Sequence, residues 1–128
     1  MPWFNHSVAL DACAVGVGGA AGALLRAAAS ARLPSRVSTI GVNVVGSFVL
    51  GALAASSPVP HRVKLGLGVG LCGGFTTFST FALELAGLIE AGEVAAAAGY
   101  LVANNLGSVA GAVGGATLVR SAVRRAPR

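Results

Sequence analysis

The nine residues Gly73-Gly74-Phe75-Thr76-Thr77-Phe78-Ser79-Thr80-Phe81 interleave hydroxyl groups with phenyl rings inside an otherwise apolar stretch. An aromatic ring has a negative face and a positive edge. Phe78 and Phe81, one helical turn apart, can therefore hold an anion at their edges without a fixed charge to trap it. Asn43 lies in a second apolar stretch with Ser47 one turn further on, and amide and hydroxyl hydrogens donate to anions. Tyr100, Asn104 and Ser108 recur at i, i+4 and i+8, a polar line along one helix face. Asn43, Tyr100 and Ser108 together read as a ladder of donors with few formal charges. Such a ladder suits a small anion that must bind well enough to enter and weakly enough to leave. Gly107, Gly111 and Gly115 on a neighbouring face read as packing contacts, and interhelical hydrogen bonding stays open for Asn43 and the polar line. Gly73 and Gly74 offer another chemistry. Where a helix breaks, carbonyls lose their partners and can coordinate a hard cation that itself need not move.

A membrane is what must position these groups. Of 128 residues, 55% are hydrophobic and 10% charged, and the mean hydropathy is +0.79. A soluble domain carries roughly 25% charged residues, so too few charges are present to cover a water-facing surface. The net charge of +5 comes from residues at helix ends and in the tail, where it reads as a topology signal rather than a nucleic-acid surface. Cys13 and Cys72 sit in apolar stretches and read as buried thiols. No basic residue precedes Arg26, so no positive n-region marks a cleavable signal peptide. His6 and His61 flank spans, and no Ser/His/Asp, Cys/His or metal-ligand cluster points to an enzyme.

The fold class expected is an all-α membrane protein: one domain over 1–128 with spans near 8–30, 38–57, 62–90 and 94–123. About 20 residues cross the hydrocarbon, and the third span is too long for that as one straight helix. An interruption within 73–80 brings it into range. Irregular backbone at that depth survives only where it is buried in protein or lines a cavity. Trp3 is placed at the interface, Gly18 and Gly22 at a close helix contact, and Gly92 in a tight loop. Four spans put both termini on one side with Arg62, Lys64, Arg120, Arg124, Arg125 and Arg128, against Arg26, Arg32 and Arg36 opposite. This bias favours cytoplasmic termini.

Three strings carry a family resemblance: Gly-Gly-Ala-Ala-Gly-Ala-Leu-Leu-Arg at 18–26, Thr-Ile-Gly-Val-Asn-Val-Val-Gly-Ser-Phe at 39–48, and Gly-Gly-Phe-Thr-Thr-Phe-Ser-Thr-Phe-Ala-Leu-Glu at 73–84. Together they resemble the Fluc fluoride channels, or CrcB family, over essentially the whole chain. The resemblance implies a fluoride-specific channel that exports fluoride passively across the bacterial cell membrane. It implies an antiparallel, dual-topology dimer with two fluoride pathways and one central sodium ion that is structural, not transported. By motif position Asn43 is the pore amide, Phe78 and Phe81 the ring-edge ligands, and Gly73 and Thr76 the carbonyl ligands of sodium. Arg26 belongs to a vestibule, Glu84 lies near a pore mouth, and Tyr100 and Ser108 join the polar track, with Ser47 beside Asn43.

An antiparallel homodimer calls for balanced Lys/Arg counts, so the observed bias raises an oppositely oriented paralogue as partner. The nearest alternative function is a small multidrug-type, proton-coupled exporter. That mechanism needs an ionisable group deep in the membrane, whereas Asp11 and Glu84 lie towards the ends of their spans. A non-transporting membrane subunit is a further alternative, and it predicts no polar line facing an aqueous path.

Overall fold

The computed structural model describes residues 6–125; Trp3 and Arg128, used in the topology reading, lie outside the described residues. Four helical spans, His6–Ser30, Ser35–Ala55, His61–Glu90 and Val94–Arg125, are each long and apolar enough to cross a bilayer. The second helix starts after Pro34, whose ring fixes φ near the observed −54°. It closes at Ala55, where the Ser56 N–H and hydroxyl both donate to the Ala52 carbonyl, at 3.0 and 2.8 Å. Ser56 and Ser57, expected inside that span, therefore belong to the next loop.

The third span has two arms. The first is helical through His61–Lys64, Leu65–Cys72 and Gly73–Phe75, and Leu65–Cys72 is wound as a π-helix. The second arm is Phe78–Glu90. Between them Thr76 (φ −79°, ψ 159°) and Thr77 (φ −149°, ψ 116°) are extended. The break thus falls at Thr76–Thr77, not at the glycine pair. Gly73 keeps helical angles of −64° and −38°, and Gly74 serves packing: a Cβ there would lie 2.4 Å from the Gly19 carbonyl oxygen. The Thr77 hydroxyl caps the second arm by accepting from the Thr80 N–H at 3.2 Å, filling one of the donors that a helix start leaves unpaired.

Two close helix pairs hold the bundle. The first helix lies on the first arm, so near that a Cβ on Gly18 or Gly22 would come within 2.0 Å of the Gly66 oxygen or 2.2 Å of the Leu71 oxygen. The second helix lies on the fourth. A Cβ on Gly115 would stand 2.0 Å from the Phe48 oxygen, and one on Gly111 would stand 2.7 Å from the Val44 oxygen. Small residues let backbones approach this far, which is how helices gain dispersion contacts in lipid. A buried cluster of Phe81, Leu88, Ala97 and Tyr100, with Ile40 and Leu85 against it, ties the second arm to these helices. Side chains such as Val17, Leu24, Val102 and Val109 point outward and are exposed. Cys13 is among the exposed residues, contrary to expectation; Cys72 is buried.

The turn into the fourth helix is closed by Gly92 at φ +74°. There the Glu93 N–H donates to the Leu88 carbonyl at 2.9 Å and the Gly92 N–H to Ile89 at 3.0 Å, a glycine-dependent helix stop. At the other end Arg62 Nε donates to Asp11 Oδ1 at 3.1 Å, and His61 Nε2 stands 3.9 Å from Asp11 Oδ2. This pair fixes the starts of the first and third spans at one level.

Candidate functional site

The break is held by a side-chain amide. Asn43 Oδ1 accepts from the Thr77 N–H at 2.7 Å, and its Nδ2 donates to the Thr77 carbonyl at 3.0 Å. It thereby pairs the extended residue from both sides, as a neighbouring strand would. The second Nδ2 hydrogen goes to Asn104 Oδ1 at 2.9 Å. Asn43 and Asn104 are 7% and 5% exposed, and a buried main-chain group left unpaired there would cost about 1–3 kcal/mol. Of the polar line on the fourth helix, Asn104 is the member that bonds Asn43. The reason is the register of the second helix on the fourth, with Val44 seated over Gly107 and Gly111.

The three phenylalanines do not form one row, because the break separates Phe75 from the other two; the Phe75 ring instead stands close to Gly46. Phe81, 2% exposed, lies between Phe78 (centroids 5.7 Å apart, planes at 55°) and Tyr100 (5.2 Å, 47°). These tilted pairings are the ones ring quadrupoles favour. Phe78 itself is 76% exposed. The Tyr100 hydroxyl donates to Glu84 Oε2 and the Ser35 hydroxyl to Glu84 Oε1. Glu84 is thus anchored at the level where the second helix begins, opposite the Asp11 end.

Ser108 Oγ is buried and has no hydrogen-bond partner among the described residues. Ser47 lines an open groove of about 550 Å³ between the second helix and the first arm, together with Asn43, Lys64, Cys72, Gly73 and Thr76. Arg26 reaches into the break from the first helix, its Nη1 donating to the Thr76 carbonyl at 3.4 Å. Since the Thr77 amide is given to Asn43, the Gly73 carbonyl lacks the amide four residues on that a helix would supply. The space beside Gly73 is open, with nothing within 4 Å of a Cβ built there. Among the described residues no group of three or more His, Cys, Asp or Glu could hold a metal.

Sequence reasoning passed over Ser35, and the Asp11–Arg62 pair was legible only as two charges at span ends. Thr39, buried beside the Glu84 and Tyr100 pair, entered the sequence reading only as the first residue of the 39–48 string. Asn104 was singled out by its spacing, but its partner lies on another helix.

Residues 13–116 match the family described as CrcB-like protein, Camphor Resistance (CrcB). A protein of Rhodospirillum centenum named fluoride-specific ion channel FluC is 47% identical over 90 residues, 66% of this chain and 71% of its own length. The fluoride-specific ion channel FluC 2 of Nocardia farcinica is 42% identical over 124 residues, 90% of this chain and 89% of its own. FluC 1 of Halobacterium salinarum is 42% identical over 105 residues, covering 80% and 87%.

Proposed function

The chain belongs to the CrcB family, and from that premise we propose that it is a fluoride-specific channel of the cell membrane, through which fluoride leaves the cell passively. The observation that carries the reading is the broken third span beside uncharged donors. The Phe78–Phe81–Tyr100 rings, the Asn43–Asn104 pair and the unpartnered Ser108 hydroxyl follow one another along the fourth helix, where Tyr100, Asn104 and Ser108 stand about 6 Å apart in rise. Ring edges and buried hydroxyls attract an anion weakly and in series, which lets it bind and leave quickly. The relatives' names supply the ion. For proton-coupled export there is no comparable support: Asp11 is paired with Arg62 at the membrane edge and Glu84 is bonded by two hydroxyls.

The working unit is an antiparallel dimer. Gly73 and Thr76 line an open groove, and Phe78 projects from the break with its ring uncovered. Lipid does not cover irregular backbone, so protein or water must, and a second copy or an oppositely oriented paralogue supplies the cover. The donor set at the break fits sodium in kind: Gly73 and Thr76 offer neutral oxygens, and the Gly73 carbonyl has been released from helix bonding. A hard cation wants about six oxygens, so one chain's pair is too few and two chains' pairs plus water suffice. Arg26 Nη1 donates to the Thr76 oxygen, and a carbonyl has a second lone pair to offer an ion. When bound, the ion would neutralise the facing carbonyls and lock the two breaks together.

A fluoride-electrode efflux assay on liposomes tests the function. Fluoride should leave rapidly on opening a potassium shunt while chloride is retained. Efflux no faster than from protein-free vesicles would reject the reading. Tail tags probed from both sides test the arrangement: equal labelling supports a homodimer, and one-sided labelling of the chain expressed alone points to the paralogue.

A further inference from the structure

Two hollows at the termini end of the bundle share a basic rim. One, of about 210 Å³, lies between the end of the second helix and the last turns of the fourth, lined by Ala55, Ser57, Arg120, Val123 and Arg124. The other, of about 200 Å³, is lined by Thr117, Arg120, Ser121 and Arg124. Arg120 and Arg124 are four apart on one helix, so both guanidinium groups rise from one face.

Among the described residues no acidic side chain answers them. Of the four acidic residues, Asp11 is taken by Arg62 and His61, and Glu84 by Ser35 and Tyr100. Glu90 and Glu93 lie at the turn on the opposite side of the membrane. Among the described residues neither arginine side chain, nor the Ser57 hydroxyl, has a hydrogen-bond or ion-pair partner. The Thr117 and Ser121 hydroxyls spend their hydrogens on the Val113 and Leu118 carbonyls, which leaves Arg120, Arg124 and Ser57 as the available donors. Ala55 and Val123 give the first hollow an apolar wall.

We propose that this rim binds the phosphate of an anionic glycerophospholipid. Arg120 and Arg124 donate to the phosphate oxygens, planar forks suited to that geometry, and the Ser57 hydroxyl adds a neutral donor. Ala55 and Val123 line the side on which the glycerol and first methylenes lie. Basic pockets between membrane helices bind lipid headgroups in this manner. A soluble phosphate has the same oxygens but gains nothing from the apolar wall. The inference does not depend on which ion the channel carries.

Native mass spectrometry of the full chain in a non-ionic detergent tests it, with phosphatidylglycerol, phosphatidylcholine and glycerol 3-phosphate as probes. Phosphatidylglycerol should bind about tenfold more tightly than phosphatidylcholine. Arg120→Gln and Arg124→Gln should each remove most of that preference. Arg125→Gln, which deletes the same charge outside the hollows, should keep it. Equal binding of the two lipids, or equal loss in all three variants, would overturn the site in favour of diffuse surface charge. Glycerol 3-phosphate saturating the protein at the same concentrations as phosphatidylglycerol would overturn the lipid as occupant.

Discussion

Asn43 holds Thr77 by both of its main-chain groups, Oδ1 on the N–H at 2.7 Å and Nδ2 on the carbonyl at 3.0 Å. The third span is therefore interrupted by a partner on the second helix as much as by its own residues. Asn43 has one amide hydrogen left, and Asn104 takes it.

Asn43→Asp should stop fluoride flux. The carboxylate keeps an acceptor for the Thr77 N–H but sets an anionic oxygen against the Thr77 carbonyl and Asn104 Oδ1, where low dielectric makes the repulsion severe. Its negative charge also repels the conducted anion. Wild-type efflux in this variant would show that Asn43 neither clamps the break nor lies on the path.

Asn104→Leu should loosen the clamp without adding charge. One buried Asn43 hydrogen is left unpaired, a loss of about 1–3 kcal/mol, and the Thr77 amide should exchange with solvent faster. Hydrogen-exchange NMR at Thr77 reads this directly. Unchanged protection would mean that Asn43 is held without Asn104.

Ser108→Ala separates function from stability. The hydroxyl is buried with no partner, and such a group costs stability rather than adding it. Thermal unfolding should be unchanged or rise slightly while fluoride efflux slows. A clear drop in melting temperature would show that Ser108 has a structural partner.

Phe78→Ile and Phe81→Ile should both slow efflux by orders of magnitude, but they should differ in stability. Phe81 is packed between Phe78 and Tyr100, and losing part of that ring costs about 1–3 kcal/mol. Phe78 is uncovered in the single chain, so its replacement should leave the fold intact. Unaltered flux in both variants would remove the ring-edge role.

Gly115→Ala should force the second and fourth helices apart, because the new Cβ would lie 2.0 Å from the Phe48 oxygen. Gly99→Ala, with nothing within 4 Å, should instead stabilise its helix by about 1 kcal/mol. Thermal melts of the two variants in one detergent make the comparison.

Four spans, a turn at Gly92, close contacts at Gly18, Gly22, Gly111 and Gly115, and a polar interruption in the third span were all legible in the chain alone. Each follows from a local rule: lipid demands long apolar helices, excludes unpaired backbone and rewards small residues where helices touch. The tertiary structure decided the rest. Which residue breaks the helix, Thr77 rather than Gly73, depends on Asn43 arriving at that depth from another span. Which donor meets Asn43 depends on the register of the second helix against the fourth. Tyr100 turns to Glu84 and Ser108 is left alone for the same reason, since spacing along one helix specifies a face but not the neighbour it will meet.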